Sequence, residues 1–389
     1  MTMAKKAALA IVALVIFSLS SFLNLSPALA AAPATTSKYV CLIDSASGQV
    51  VYGKNIDEKR QVASATKMMT AILAVEYAVL DEIATVSPNA DQTPEYTIGL
   101  PAGSQLTIEE LLKAALIKSA NDAAVVLAEH VAGDEMLFAH LMSLKAFAIG
   151  AVNTRYENAS GLPGHKQYST AYDQAVIGRY LMSKAVLKNL VGSQVQTFKH
   201  PHYREALQLY NTNGLLFSYP GADGIKTGTT NAAGKCLVAS ATREGRQLIA
   251  VALKSYDRNG DCKRLLDYGF NHTGRVLLVH KDEPFKEILL TEGKENLISL
   301  YPDKDIYLWM GDAQLNVEKR VLLDYDIKAP VGKNQVLGTL KVYVEGKPVA
   351  EANLRTQAEY GRRPGFLLRI LDGLARRWGV LPGSAENDP

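Results

Sequence analysis

Apolar residues dominate the N-terminus from Ala7 to Leu25, interrupted by Ser18, Ser20 and Ser21, with Lys5 and Lys6 before them and an A-x-A pattern at Ala28 and Ala30 after them. A basic start, an apolar run and small residues at its end predict a secretory signal peptide over residues 1–30, cut after Ala30 or Ala32. The run is about long enough to cross a bilayer, so an uncleaved anchor is the alternative reading. Past it, Tyr39–Ile43 and Gln49–Tyr52 read as the two strands of a hairpin around a polar turn. Helical periodicity then covers Ser64 to about Leu80, Thr107 to about Lys118, Asp122–Val131, about 135–149 and about 171–191. Glu109 and Glu110 in a first turn, and Gly133 after a last one, are helix start and stop signals. Strand character returns at Gly224–Thr227, Cys236–Ala241 and Gln247–Leu253, and a helix is predicted over about 260–271. Strands at both ends of this stretch with helices between them predict an α+β domain over 38–272, in which one sheet is built from both ends and a helical block covers a face.

The texture changes from about residue 274. Arg275–Val279, Phe285–Leu290, Asn296–Leu300, Ile306–Trp309, Val317–Leu323 and Val336–Val344 are short β-type runs separated by polar turns. They predict a small all-β domain over 274–355. In the tail, 356–389, the residues Phe366, Leu367, Ile370, Leu371, Leu374 and Trp378 share one helical face, with Arg369, Asp372, Arg376 and Arg377 on the other. This basic amphipathic helix is too short to span a bilayer and is expected to lie flat on a membrane surface. A helix packed on the β domain is the alternative.

Composition narrows the function. Hydrophobic residues make up 48% and charged residues 21% of 389, ordinary for a folded protein, and the formal net charge of +3 gives no broad basic surface for nucleic acid. The three cysteines, Cys41, Cys236 and Cys262, have no C-x-x-C spacing and sit among apolar or helical neighbours, so neither a metal site nor a cofactor is expected. Lys38-Tyr39-Val40 before Cys41 is not a lipidation signal.

Three short motifs carry chemistry. In Ser64-Ala65-Thr66-Lys67 the lysine lies one turn after the serine on the same helical face. A serine hydroxyl needs a base to become a nucleophile, and a lysine buried near Met68 and Met69 would lose its proton to desolvation and serve as that base. Taken alone, the motif reads equally as an N-cap serine followed by a solvated lysine. Ser119-Ala120-Asn121 sets a hydroxyl and an amide side by side between two helices, suited to relaying a proton and holding a substrate amide. A helix-capping turn is its bland reading. Lys226-Thr227-Gly228 closes a β-type run, where lysine and threonine suit a carboxylate and glycine leaves a strand edge open to an extended substrate. A hairpin turn with an exposed lysine is the bland alternative there. Together and in this order, the three form a signature of penicillin-binding proteins and class A β-lactamases.

The chain resembles the low-molecular-mass penicillin-binding proteins that are D-alanyl-D-alanine carboxypeptidases, serine peptidase family S11. The likeness extends through Ala63–Thr70, Ser119–Ala124, Asn158–Leu162, Tyr168–Ala171 and Asp223–Thr229. It implies a transpeptidase-like fold shared with β-lactamases. It implies an exported enzyme, at the outer face of the cytoplasmic membrane or in the cell wall space, that removes D-alanine from peptidoglycan stem peptides ending in D-Ala-D-Ala. β-Lactams are then expected as covalent inhibitors. By motif matching, Ser64 is the nucleophile and Lys67 its base. Ser119 and Asn121 assist proton transfer and position the substrate, and Lys226 and Thr227 hold the carboxylate. Gly228 precedes Thr229, whose N–H forms the oxyanion hole with that of Ser64. Arg258 stands where the family often has a carboxylate-binding arginine, or else is a surface residue opening the last helix. Ala120 replaces a usual glycine, a small change; Gln167 replaces a common histidine and Ser143 a common asparagine, which touches fine substrate preference and not the reaction. The rivals on the same fold are a β-lactamase and a DD-endopeptidase; a silent penicillin-binding envelope protein is a third. The glutamate motif E-x-x-L-N of class A β-lactamases does not occur after Asn121.

Overall fold

The computed structural model describes residues 32–324 and 326–365, together with Ile370, Leu371, Leu374 and Ala375. The predicted signal peptide and most of the amphipathic tail lie outside the described residues. The chain divides into two compact units, one centred on residues 51–274 and one on 275–309 with 315 onward.

The first unit is built on a five-stranded sheet. Its strands are β1 (Tyr39–Asp44), β2 (Val50–Lys54), β3 (Ala222–Thr230), β4 (Gly234–Arg243) and β5 (Arg246–Ser255), in the order β2-β1-β5-β4-β3. The pairings β1–β5, β5–β4 and β4–β3 are antiparallel, with Leu42 opposite Ala250, Val238 opposite Val251 and Thr229 opposite Lys235. The sheet therefore does join both ends of the unit. Val40–Ile43 and Leu248–Leu253 are buried without alternation, because both faces of the sheet are covered.

The helices of six or more residues are α1 (Lys67–Tyr77), α2 (Ile108–Lys113), α3 (Asn121–Ala132), α4 (Glu135–Ala148), α5 (Ala171–Met182), α6 (Ala185–Gly192) and α7 (Arg258–Asn271). Neighbouring residues of a strand point to opposite faces. Leu248 meets α7 at Gly269 while Ile249 meets α5 at Gly178, so these two helices cover opposite faces of the sheet. α1 is buried from Lys67 to Ala74 and is the central helix of the block, which accounts for its nearly uniform apolarity.

Several local expectations are corrected. The stretch beginning at Ser64 is not one helix. Ala63–Thr66 form a 3₁₀ turn, and α1 starts at Lys67 and ends at Tyr77. The stretch 171–191 is two helices broken at Ser183-Lys184. The helix ending at Lys118 finishes in a π turn, Ala114–Lys118. A hairpin of Val195–Phe198 with Leu207–Tyr210 gave no clear alternation in the sequence. Cys41 on β1 and Cys236 on β4 are separated by β5, and all three cysteines are buried and in no disulfide.

In the second unit, β6 (Lys286–Leu289), β7 (Leu297–Pro302), β8 (Val317–Leu323), β9 (Val336–Val344) and β10 (Lys347–Arg355) form a sheet in the order β6-β7-β10-β9-β8. Thr273–Val279 and Ile306–Gly311 are strands as well. All six predicted runs are strands. The seventh, β10, was missed because only the Glu345-Gly346 turn separates it from β9.

Candidate active site

Ser64 sits in the 3₁₀ turn ahead of α1. In such a turn residues i and i+3 eclipse, which brings Lys67 over Ser64 more directly than an α-helix would. Lys67 Nζ lies 3.0 Å from Ser64 Oγ. It also donates to Asn121 Oδ1 at 2.6 Å and to the Ser160 carbonyl at 2.7 Å. The Asn121 amide is oriented by its own Nδ2, which donates to Pro94 O at 2.9 Å. Lys67 is fully buried. Burial first, and the charge of Lys226 second, hold its amine well below the usual lysine range, with Asp122 pulling the other way. A neutral amine has two N–H bonds and one lone pair. In that form the two acceptors at 2.6 and 2.7 Å would take the N–H bonds and the lone pair would be left for the Ser64 hydroxyl.

The nucleophile turn is held from two sides. Ala63 has φ of +51°, a left-handed conformation that costs a non-glycine residue about 1–2 kcal/mol. Gly161, from the segment that supplies the Ser160 carbonyl, packs so closely that a Cβ there would lie 2.0 Å from Ala63 O. On the other side a Cβ on Gly228 would lie 2.6 Å from Val62 O and 3.0 Å from Ser64 N. This revises the reason for that glycine. Its missing side chain lets β3 lie against the nucleophile turn, whereas the sequence suggested room for a substrate.

Ser119 follows the π turn with φ of +71°, and its hydroxyl lines the cleft. α3 then opens at Asn121. Next to it, the buried Asp122 carboxylate accepts the N–H groups of Ile98, Gly99 and Leu100, tying that loop to the start of α3.

β3 is the edge strand of the sheet. Lys226 on it is buried, and its Nζ makes one weak contact, 3.3 Å to Thr227 O. Burial, then the neighbouring Arg258 charge, lower its amine to about 7. Thr227 Oγ1 and Thr212 Oγ1 share a hydrogen bond of 2.7 Å. Arg258 opens α7 as the sequence placed it, yet it is no free surface residue. Its guanidinium donates to Gly228 O at 3.0 Å and Thr229 Oγ1 at 2.9 Å.

Ser64, Ser119, Asn121, Thr227, Thr229 and Arg258 are thus among the residues that line one cleft of about 370 Å³. Its remaining parts escaped sequence reasoning. The Ser160 contact is a backbone carbonyl, invisible in side-chain chemistry, although the family resemblance does extend through Asn158–Leu162. Thr212 and the Glu95-Tyr96 wall lie in loops with no motif of their own. Two of the three departures from the family pattern have local duties. Gln167 Nε2 donates to Leu162 O, and Ser143 Oγ accepts from Tyr156 N at 3.0 Å.

Comparison with known proteins agrees with this geometry. The family profile described as D-alanyl-D-alanine carboxypeptidase matches residues 27–256, and that of the penicillin-binding protein 5 C-terminal domain matches residues 275–362. The chain is 32% identical to the D-alanyl-D-alanine carboxypeptidase DacF of Bacillus subtilis, over 85% of this chain and 87% of that protein. It is 31% identical to DacA of Escherichia coli, over 85% of each. Penicillin binding protein 5 from Haemophilus influenzae superposes with a TM-score of 0.65 at 28% identity, covering 85% of this chain and 99% of that one. Matched by the family profile over residues 27–256 and by these relatives over most of its length, the chain belongs to the D-alanyl-D-alanine carboxypeptidase family, serine peptidases of the penicillin-binding protein type.

Proposed function

We propose that this chain removes the terminal D-alanine of peptidoglycan stem peptides through an acyl-enzyme on Ser64. The observation that carries the reading is the buried Lys67 Nζ within hydrogen-bond reach of Ser64 Oγ, 3.0 Å away. Lys67 takes the hydroxyl proton as Ser64 Oγ attacks the carbonyl carbon of the penultimate D-alanine. The oxyanion is received by the backbone N–H groups of Ser64 and Thr229. The substrate carboxylate lies against Lys226 and Thr227, with Arg258 adding charge and holding the end of β3. Lys67 returns the proton through Ser119 to the leaving nitrogen as the C–N bond breaks. D-alanine departs, and water hydrolyses the ester. A β-lactam would acylate Ser64 by the same attack. The test is D-alanine release from a diacyl-L-Lys-D-Ala-D-Ala peptide by the mature protein and by Ser64→Ala. Release by the wild type alone supports the assignment, whereas equal release by both removes Ser64 as the nucleophile.

For location, we propose export through residues 1–30 and attachment of the tail at 366–378, as the amphipathic helix its sequence predicts, to the outer face of the cytoplasmic membrane. Among the described residues no helix is long and apolar enough to cross a membrane. The support is the segregation of Leu371, Leu374 and Trp378 from Arg369, Arg376 and Arg377. Co-sedimentation with phosphatidylglycerol vesicles, lost on truncation after Gly365, is the expected result. Equal sedimentation of both forms would overturn it.

A further inference from the structure

The geometry points to Glu95 and Tyr96 as a subsite for a cationic side chain on the acyl-donor part of the substrate, an inference that rests on the reaction proposed above. Glu95 is the one acidic residue among those lining the cleft, whose other charged lining residues are Lys118 and Arg258. Among the described residues Glu95 is exposed and makes no ion pair. A carboxylate left unpaired in an otherwise basic cleft is available to a ligand cation.

Its placement is not that of a loose loop. Asn121 N donates to Tyr96 O at 2.6 Å and Asn121 Nδ2 to Pro94 O at 2.9 Å, so the amide that positions Lys67 also clasps the backbone on both sides of Glu95. Asp122 holds the next turn through Ile98, Gly99 and Leu100. Glu95 is therefore carried on backbone tied to the Asn121 motif, which sets where its charge can reach.

The direction of the substrate follows from the two walls. Gly228 of β3 packs against the backbone nitrogen of Ser64, and Asn121 approaches from the side of Lys67, so Ser64 lies between β3 and the 94–96 wall. A peptide that leaves its carboxylate at Lys226 and Thr227 and its scissile carbonyl at Ser64 sends its preceding residue toward the opposite wall. There Tyr96, 68% exposed, offers a ring for an aliphatic stem, and Glu95 meets a charge at its end. The class selected is a residue with an unsubstituted primary amine on a flexible aliphatic chain, next to D-Ala-D-Ala.

The test uses two peptides, Nα-acetyl-L-Lys-D-Ala-D-Ala with a free ε-amine and its Nε-acetylated counterpart, with D-alanine release read as kcat/KM. The wild type is expected to prefer the free amine by about threefold to fivefold, the upper end for a solvent-accessible pair. The preference should sit in KM and shrink with added salt. Glu95→Gln should bring the ratio to about one, and Glu95→Lys should invert it. No preference in the wild type, or one that survives Glu95→Gln, overturns the subsite. Failure of the underlying reaction is a separate result, since the wild type would then release D-alanine from neither peptide.

Discussion

Gly228→Ala adds one methyl group at the contact between β3 and the nucleophile turn. Its Cβ would lie 2.6 Å from Val62 O, 3.0 Å from Ser64 N and 3.1 Å from Ala63 Cβ. Carbon–oxygen contacts begin at roughly 3.3 Å, so strand and turn must separate by about 0.7 Å. Neither side yields readily. β3 is paired to β4 along its length, and the turn is backed by Gly161 on its other flank. A displacement of about 1 Å in an attacking group costs about 10²-fold, so kcat/KM for D-alanine release should fall by about 10- to 100-fold. Overpacking should cost about 1–3 kcal/mol of stability, a drop of several degrees in melting temperature. Acylation by a labelled penicillin should slow by a similar factor, because the damage is to Ser64 and not to one substrate. Wild-type rates with both acyl donors would refute the reasoning. A loss confined to the peptide, with penicillin acylation intact, would instead return the glycine to the role of clearing space for the substrate.

Lys67→Met removes the base and should slow penicillin acylation by about 10²- to 10⁴-fold in a stopped-flow or gel-based assay. Asn121→Asp sets a carboxylate against Lys67 Nζ, now 2.6 Å from the amide oxygen. An adjacent negative charge favours the ammonium form, so the acid limb of kcat/KM should move upward by about 1–3 pH units; an unmoved limb would remove Lys67 as the titrating base. Lys226 must be charged to hold a carboxylate, and its amine is lowered to about 7 by burial and by Arg258. That charge is lost as pH rises, so kcat/KM should decline on the alkaline side of about 7. kcat should hold to higher pH, because bound carboxylate restores the proton. Arg258→Gln removes a like charge and should shift the same limb upward, whatever it does to the maximum rate.

The motif residues were legible because each pairs a chemical need with a short spacing. Ser64 and Lys67 are three apart, and Lys226 and Thr227 are adjacent on a strand. The sheet could also be read, since Val40–Ile43 and Leu248–Leu253 are apolar runs of strand length, whereas β10 hid behind a two-residue turn. What could not be read was contact between distant segments. Nothing in Asn158–Leu162 announces that the Ser160 carbonyl will meet Lys67, and nothing in the loop at 94–96 announces its clasp by Asn121.

By itself, then, the sequence determined most of the order of elements and the candidate reacting groups, because periodicity and local spacing are properties of neighbouring residues. The tertiary structure decided the surroundings of those groups. Lys67 differs from an ordinary surface lysine because burial in α1 and the Lys226 charge hold its amine well below the usual lysine range and two acceptors from other segments meet it. It also decided where the strain sits and why Gly228 must be glycine, since desolvation and steric contact depend on what packs across the fold, which spacing along a chain does not record.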